Sequence, residues 1–238
     1  MGKQDESHSL AKSAPERDTW DGEKWMHVLF EDRQEAGKRI AKKLARFHGT
    51  DAVILAIPRG GIPVAAVAAQ RLQLQWGVIV TRKLPVPANP EAGFGAVAND
   101  GTIVLNKPML SGLRLTKDQI GGIAARVRDE VARRTEVYSR AKPPIDVSGR
   151  PVIVLDDGVA SGYTMLAAIK SVRNQGPASV VAAAPVASRS AASLVEKVAD
   201  ECEFEIVSPA MPFAVADFYV VWHDLTDEDI LPVLESEG

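Results

Sequence analysis

Residues 151–164 read P-V-I-V-L-D-D-G-V-A-S-G-Y-T. The run V-I-V-L at 152–155 is apolar and β-branched, the pattern of a strand buried on both faces of a parallel sheet. Asp156 and Asp157 stand where that strand ends. Small residues follow (Gly158, Val159, Ala160, Ser161 and Gly162), and Tyr163 and Thr164 open the amphipathic M-L-A-A-I-K-S-V. A strand, a tight turn and a helix N-terminus make an anion cradle, because backbone N–H groups and the positive end of the helix dipole face one point. Ser161 and Thr164 add hydroxyl donors. Paired carboxylates accept hydrogen bonds and repel anions, so they suit vicinal hydroxyls rather than phosphate. Phosphate on one side and sugar hydroxyls on the other describe a ribose 5-phosphate.

Residues 152–164 resemble the phosphoribosyl-diphosphate (PRPP) binding motif of the type I phosphoribosyltransferases. Gly158 departs from that pattern, since the family more often carries an apolar residue after the two acids. The resemblance implies a doubly wound, mostly parallel α/β sheet with a small hood from the terminal segments. It implies transfer of a 5-phosphoribosyl group to a small-molecule acceptor with release of pyrophosphate, and a homodimer. Asp156 and Asp157 would hold the ribose hydroxyls directly or through the water shell of a Mg²⁺ ion. Ala160, Ser161, Gly162, Tyr163 and Thr164 would bind the 5-phosphate, with Gly158 and Val159 also in the substrate-binding set. A non-catalytic relative that binds PRPP or a nucleotide as a regulator shares the same motif. So does, in outline, a plain strand–turn–helix whose acids cap the helix, although two adjacent acids beside a small-residue turn argue against it. The chain has no G-x-x-x-x-G-K-[ST], and Ser161 falls one position too late for G-x-S-x-G.

The chain has 238 residues, 46% of them hydrophobic, enough for one large α/β domain with an appendage. A formal net charge of −3 gives no long-range attraction for nucleic acid or an anionic membrane. The single cysteine, Cys202, precludes an internal disulfide and a cysteine-based metal site. No apolar run approaches the ~20 residues of a membrane-spanning helix, and residues 1–10 carry no apolar leader. The expectation is a cytoplasmic protein. His8, His27, His48 and His223 have no metal-ligand spacing.

Residues 1–25 are polar and aperiodic and read as a disordered tail, with the folded domain over 26–238. Asp32 and Glu35 make a capping-box-like pair for a first helix, with Ala36, Ile40, Leu44 and Phe47 on its apolar stripe. Its other face, with Lys38, Arg39, Lys42, Lys43 and Arg46, reads as solvated. A strand over 52–57 then meets P-R-G-G-I-P at 58–63, and a helix over 64–72 follows with Pro63 in its first turn. The resemblance makes Arg59, Gly60 and Gly61 the pyrophosphate loop.

The next strand, over 76–81, should end in Arg82 and Lys83, two cations aimed at the crevice. Residues 84–95 hold three prolines and two glycines and read as a long flexible lid. The resemblance adds catalytic roles for Lys83 and for Glu91 in that lid. Asn99-Asp100-Gly101 signals a hairpin, so the flexible region spans 84–105. A long helix runs from the Thr116/Gln119 capping box, with Ile120, Ile123, Val127, Val131 and Tyr138 facing inward, and Pro143-Pro144 stops it. Beyond the cradle come strands over 179–186 and 204–207, a helix over 190–199, and a last helix capped by Thr226 and Asp229. The resemblance makes residues 208–238 the C-terminal hood and helix, with Phe213, Phe218, Tyr219 and Trp222 either in the hood over the crevice or, for at least two of them, simply core. Neutralising both acids of the motif is expected to leave the fold as stable or slightly more so.

Overall fold

The computed structural model describes residues 29–87 and 89–236. The tail expectation for residues 1–25 lies outside the described residues. The chain runs α1 (Arg33–Lys43), β1 (Val53–Ala56), α2 (Gly61–Leu72), β2 (Gln75–Val78), β3 (Thr81–Val86) and β4 (Asn89–Ala98). Then come β5 (Ile103–Leu105), α3 (Lys107–Leu113), α4 (Lys117–Ala141), β6 (Pro151–Leu155) and α5 (Tyr163–Arg173). It closes with β7 (Ser179–Ser188), α6 (Arg189–Val195), β8 (Glu201–Ser208) and α7 (Asp227–Glu235).

Five parallel strands form the main sheet in the order β2-β1-β6-β7-β8. Alternate residues of these strands supply two cores, as a period of two requires. Ile54, Ala56, Ile153, Leu155, Val181 and Ala183 pack on the side of α1, α2, α4 and α7. Val53, Leu55, Val152, Val154, Val180 and Ala182 pack on the side of α5 and α6. Burial on both faces is why these strands are β-branched and alanine-rich throughout. The chain leaves β1 toward β2 on one side, and β6 sits on the other side of β1. The strand order therefore reverses between β1 and β6, and in an open α/β sheet the crevice at that reversal, beyond the carboxyl ends of the strands, is where ligands bind.

The stretch expected to be a parallel strand ending in Arg82 and Lys83 divides in two. β2 stops at Val78, and Thr81 starts β3 in a separate antiparallel sheet of order β3-β4-β5. Residues 84–95 are correspondingly not a long loop. β3 and β4 pair from Thr81↔Ala98 out to Val86↔Asn89, with register shifts around Pro85. The prolines are accommodated because the ribbon is bulged where they fall. Leu84, Val86 and Phe94 are buried, so one face of the ribbon is anchored in the core. The hairpin at 99–101 is present: Ala98 N–H donates to Thr102 O (2.9 Å), and Gly101 has φ +85°.

Helix α3 was not expected; Asn106 caps it by accepting from the Met109 N–H, with Pro108 in the first turn. Thr116 and Gln119 close their capping box at α4, and Thr226 and Asp229 do so at α7. The basic face of α1 is not merely solvated. Arg39 pairs with Glu205, and Arg46 with Glu201 and Glu203, all on β8. No helix among the described residues is long and apolar enough to cross a membrane.

Candidate active site

At the crevice the β6 strand ends against β7: Asp156 N–H donates to Ala183 O (3.2 Å). The turn that follows is fastened to the end of β7 through Val159 N–H to Val186 O (2.8 Å), Ser188 N–H to Val159 O (2.9 Å) and Ser188 Oγ to Ala160 O (2.7 Å). Gly162, at φ +82°, turns the chain into α5. Ala160 and Ser161 are exposed in this turn.

The helix starts divide into two kinds. Among the described α-helices, Asp32, Asn106, Thr116, Ser188 and Thr226 each cap one with a side chain. The two that begin at the strand-order reversal, α2 and α5, begin at Gly60 and Gly162 and carry no side-chain cap. The first N–H groups of any α-helix lack intrahelical partners. At α5 they are left for something other than the protein's own side chains; at α2 Gly61 N–H is taken by Ile57 O, Ile62 N–H by Arg59 O, and Pro63 has none.

Gly60 and Gly61 sit directly on the acid pair. A Cβ at Gly60 would lie 1.9 Å from Asp157 Oδ2, and one at Gly61 would lie 2.7 Å from Leu155 O. Gly61 N–H is bonded to Ile57 O (3.0 Å), so Gly61 contributes close approach rather than a free amide. The Pro58–Arg59 peptide bond is cis.

Asp157 is buried, and its Oδ2 accepts from Arg33 Nε at 2.8 Å. Arg33 Nη1 donates to His223 O (3.1 Å), its guanidinium lies 3.9 Å from the centre of the Trp222 ring, and Tyr219 Oη donates to Asp157 O (2.6 Å). Asp156 is partly exposed, and its Oδ1 accepts from Asp157 N–H (2.9 Å). Burial and the neighbouring Asp157 charge push the Asp156 carboxyl well above the usual carboxylate range. Burial also raises Asp157, and Arg33 opposes that rise.

Arg82 and Lys83 do not act as one pair. Adjacent strand residues point to opposite faces. Arg82 shares the face of Leu84 and Val86, which packs with α4, and its Nε meets Glu130 Oε2 at 2.7 Å. Lys83 lies opposite Ala96, whose side chain packs with α5. Burial first, then the charges of Arg134 and Arg59, lower the pKa of Arg82. Arg59 Nη1 lies 3.7 Å from Asp227 Oδ1, and Arg133 Nη2 is 4.0 Å from Asp227 Oδ2. Tyr138 Oη donates to Asp227 Oδ1 (2.6 Å), and burial followed by that carboxylate pushes the phenol far up. Arg134 Nη2 holds Glu130 (3.0 Å), while Arg134 Nε is buried without a partner. Four guanidinium groups thus share two carboxylates. Glu91 is carried on β4, and its side chain lies outside the described residues.

Sequence reasoning missed Arg33, Glu130, Arg133, Arg134 and Asp227. Glu130 and Arg134 are four apart on a helix, a visible pair, but nothing local announces that they meet Arg82. Gly158 now has a reason for its departure: a Cβ there would lie 2.4 Å from Val215 Cγ1 in the 3₁₀ turn Val215–Phe218. The C-terminal segment supplies the apolar group that the motif position lacks.

The sequence profile of the phosphoribosyl transferase domain matches residues 30–221, and the chain belongs to that family, with the type I fold. Two Mycobacterium tuberculosis proteins, MT0597 of strain CDC 1551 and Rv0571c of strain H37Rv, each provisionally named a phosphoribosyl transferase, are 36% identical over 207 residues. The match takes in 87% of this chain and 46% of each relative, so the chain spans about half their length. The crystal structure of TT1426 from Thermus thermophilus superposes with a TM-score of 0.72 at 37% identity, covering 87% of this chain and 98% of that one.

Proposed function

We propose that the protein is a PRPP-dependent transferase that moves a 5-phosphoribosyl group onto a nitrogen of a small acceptor and releases pyrophosphate. One observation carries this: the uncapped, glycine-led start of α5 and the Arg59–Gly60–Gly61 loop ahead of α2 flank a pair of carboxylates at the strand-order reversal. An anion site at the α5 start and the Arg59 guanidinium, on either side of hydroxyl acceptors, match the 5-phosphate, ribose and pyrophosphate of one ligand.

In the transfer, the bond from ribose C1 to the pyrophosphate oxygen breaks and a bond from C1 to the acceptor nitrogen forms. Positive charge builds on the sugar and negative charge on the leaving group, so catalysis is electrostatic and positional. The α5 start, with Ser161 and Thr164, grips the 5-phosphate. Asp156 and Asp157 accept the ribose hydroxyls and lie where they stabilise the cationic sugar. Arg59 and Arg82, backed by Arg133 and Arg134, receive the charge of the departing pyrophosphate.

Mg²⁺ suits this donor set. No cluster of three His, Cys, Asp or Glu side chains capable of holding a metal occurs among the described residues, and Asp157 is engaged by Arg33. Such a site fits an ion that keeps most of its waters and takes the rest of its ligands from substrate, with Asp156 the protein group nearest to serve it. When bound, the ion would neutralise pyrophosphate charge.

The test is calorimetric titration with PRPP and Mg²⁺, then pyrophosphate release from PRPP across a panel of purines, pyrimidines and related rings. Binding together with release for at least one ring is expected. Absence of PRPP binding would overturn the proposal. Tight binding with no turnover on any ring would replace the transferase with a PRPP-sensing regulator.

A further inference from the structure

The C-terminal segment touches the acid motif at Gly158 through Val215 and at Asp157 O through Tyr219. Arg33 adds a third junction of a different kind, because one guanidinium spans both sides. Its Nε is on Asp157, its Nη1 on His223 O, and its face on the Trp222 ring. Only 8% of the residue is exposed, so water cannot take over any of these contacts. A guanidinium is rigid and planar, with its donors in a fixed fork. If the Asp157 carboxylate shifts to meet a ligand, the head group must turn with it, and the turn is felt at Trp222 and at the His223 carbonyl.

We infer that Arg33 is a positioning residue that couples the acid pair to the C-terminal segment, so that filling the ribose site resets the acceptor side of the crevice. This rests on the phosphoribosyl-transfer reading for what fills each side; the coupling itself is a property of the unliganded protein. A merely structural clamp would hold the fold without transmitting anything. Lysine distinguishes the two, since it keeps the positive charge beside Asp157 but has neither a second arm for His223 O nor a flat face for Trp222.

The experiment is ¹⁹F NMR on protein labelled with 5-fluorotryptophan, with the Trp222 resonance assigned through W222F. In the wild type, PRPP with Mg²⁺ should move the Trp222 resonance and leave that of Trp76 in place. R33K should bind PRPP within about threefold of the wild type by calorimetry, while the Trp222 response falls to about half or less. A full Trp222 response in R33K overturns the coupling, as does a wild type that binds PRPP with Trp222 unmoved. A second pair of spectra needs no ligand. Asp157→Asn should shift the Trp222 resonance when Arg33 is present and not in the R33K background. If the wild type fails to bind PRPP, the transferase reading falls and this ligand-free comparison still decides the coupling; no shift there overturns it. If R33K does not fold, as judged by circular dichroism, the Asp157→Asn comparison is made in a Tyr219→Phe background, which removes the hydrogen bond by which Tyr219 links Asp157 to Trp222, and no shift there overturns the coupling.

Discussion

The floor of the crevice and the ribbon beside it are built by opposite means. At the floor, the chemistry hangs from the ends of β1 and β6, central strands buried on both faces, and close approach is secured by glycines at 60, 61 and 158. In the ribbon, Arg82, Lys83 and Glu91 ride on β3 and β4, a bulged antiparallel pair packed against α4 on one face and, around Ala96 and Ala98, against α5 on the other. A group at the floor cannot move without disturbing the core. A group toward the ribbon's tip, beyond the register shifts at Pro85, can move by bending the strands that carry it. Ground-state grip on PRPP should therefore reside in the floor, and enclosure of the reacting centre in the ribbon.

The largest effect should come from Asp157→Ala. It strands Arg33 as a buried cation, and breaking a buried pair costs about 3–5 kcal/mol. Thermal unfolding without ligand measures this, and an unchanged midpoint would mean that the floor is not rigid at its acids. The sequence-based expectation that neutralising the acid pair is harmless or stabilising is thereby corrected for Asp157, because Arg33 makes the charge structural as well as functional.

Gly158→Val tests the contact from the other side. The new side chain would collide with Val215, and overpacking of this kind costs roughly 1–3 kcal/mol. Val215→Ala should recover much of that loss in the double variant; no recovery would mean that Gly158 is required for some reason other than Val215.

On binding, Thr164→Val removes one hydroxyl donor from the cradle and should weaken PRPP by roughly 1.5–3 kcal/mol, read by calorimetry. Asp156 gives a pH signature. Its folded pKa lies above its unfolded value, so the folded state holds the proton more tightly. The resulting stability is complete below the unfolded value, about 4, and is lost as pH climbs through the raised folded value. Asp156→Asn should flatten that decline in the unfolding midpoint; equal slopes would remove Asp156 as its source. The smallest effect on affinity belongs to the ribbon. Replacing residues 89–92 with a Gly-Ser turn should change PRPP affinity less than about threefold and abolish turnover, by the logic of a cover that acts only during reaction. A large affinity loss would place PRPP contacts at the ribbon tip and break the division proposed here.

Legibility in the sequence follows the same division. The parallel strands were readable because burial on both faces leaves an unbroken apolar run, as in 152–155, and the cradle because its small residues are contiguous. The ribbon was misread because prolines at 85, 87 and 90 and glycines at 93 and 95 are loop-forming in isolation, and only pairing across the hairpin makes them strand. Arg33 was invisible for a different reason. On α1 it is one of several cations in sequence, and nothing nearby distinguishes a residue destined for burial against Asp157 from those that meet β8.

Arg33 precedes Asp157 by 124 residues and His223 by 190, and Tyr219 follows Asp157 by 62. A chain made from its N-terminus at about 5–20 residues per second therefore waits roughly 3 to 12 s between the birth of the acid pair and that of the tyrosine that covers it. Through that interval the nascent protein carries two closely spaced carboxylates without the segment that covers Asp157, and Phe30 without its partner Tyr219. The site is then among the last parts of this domain to mature on the ribosome, and a newly made copy becomes competent in a single late step rather than by degrees.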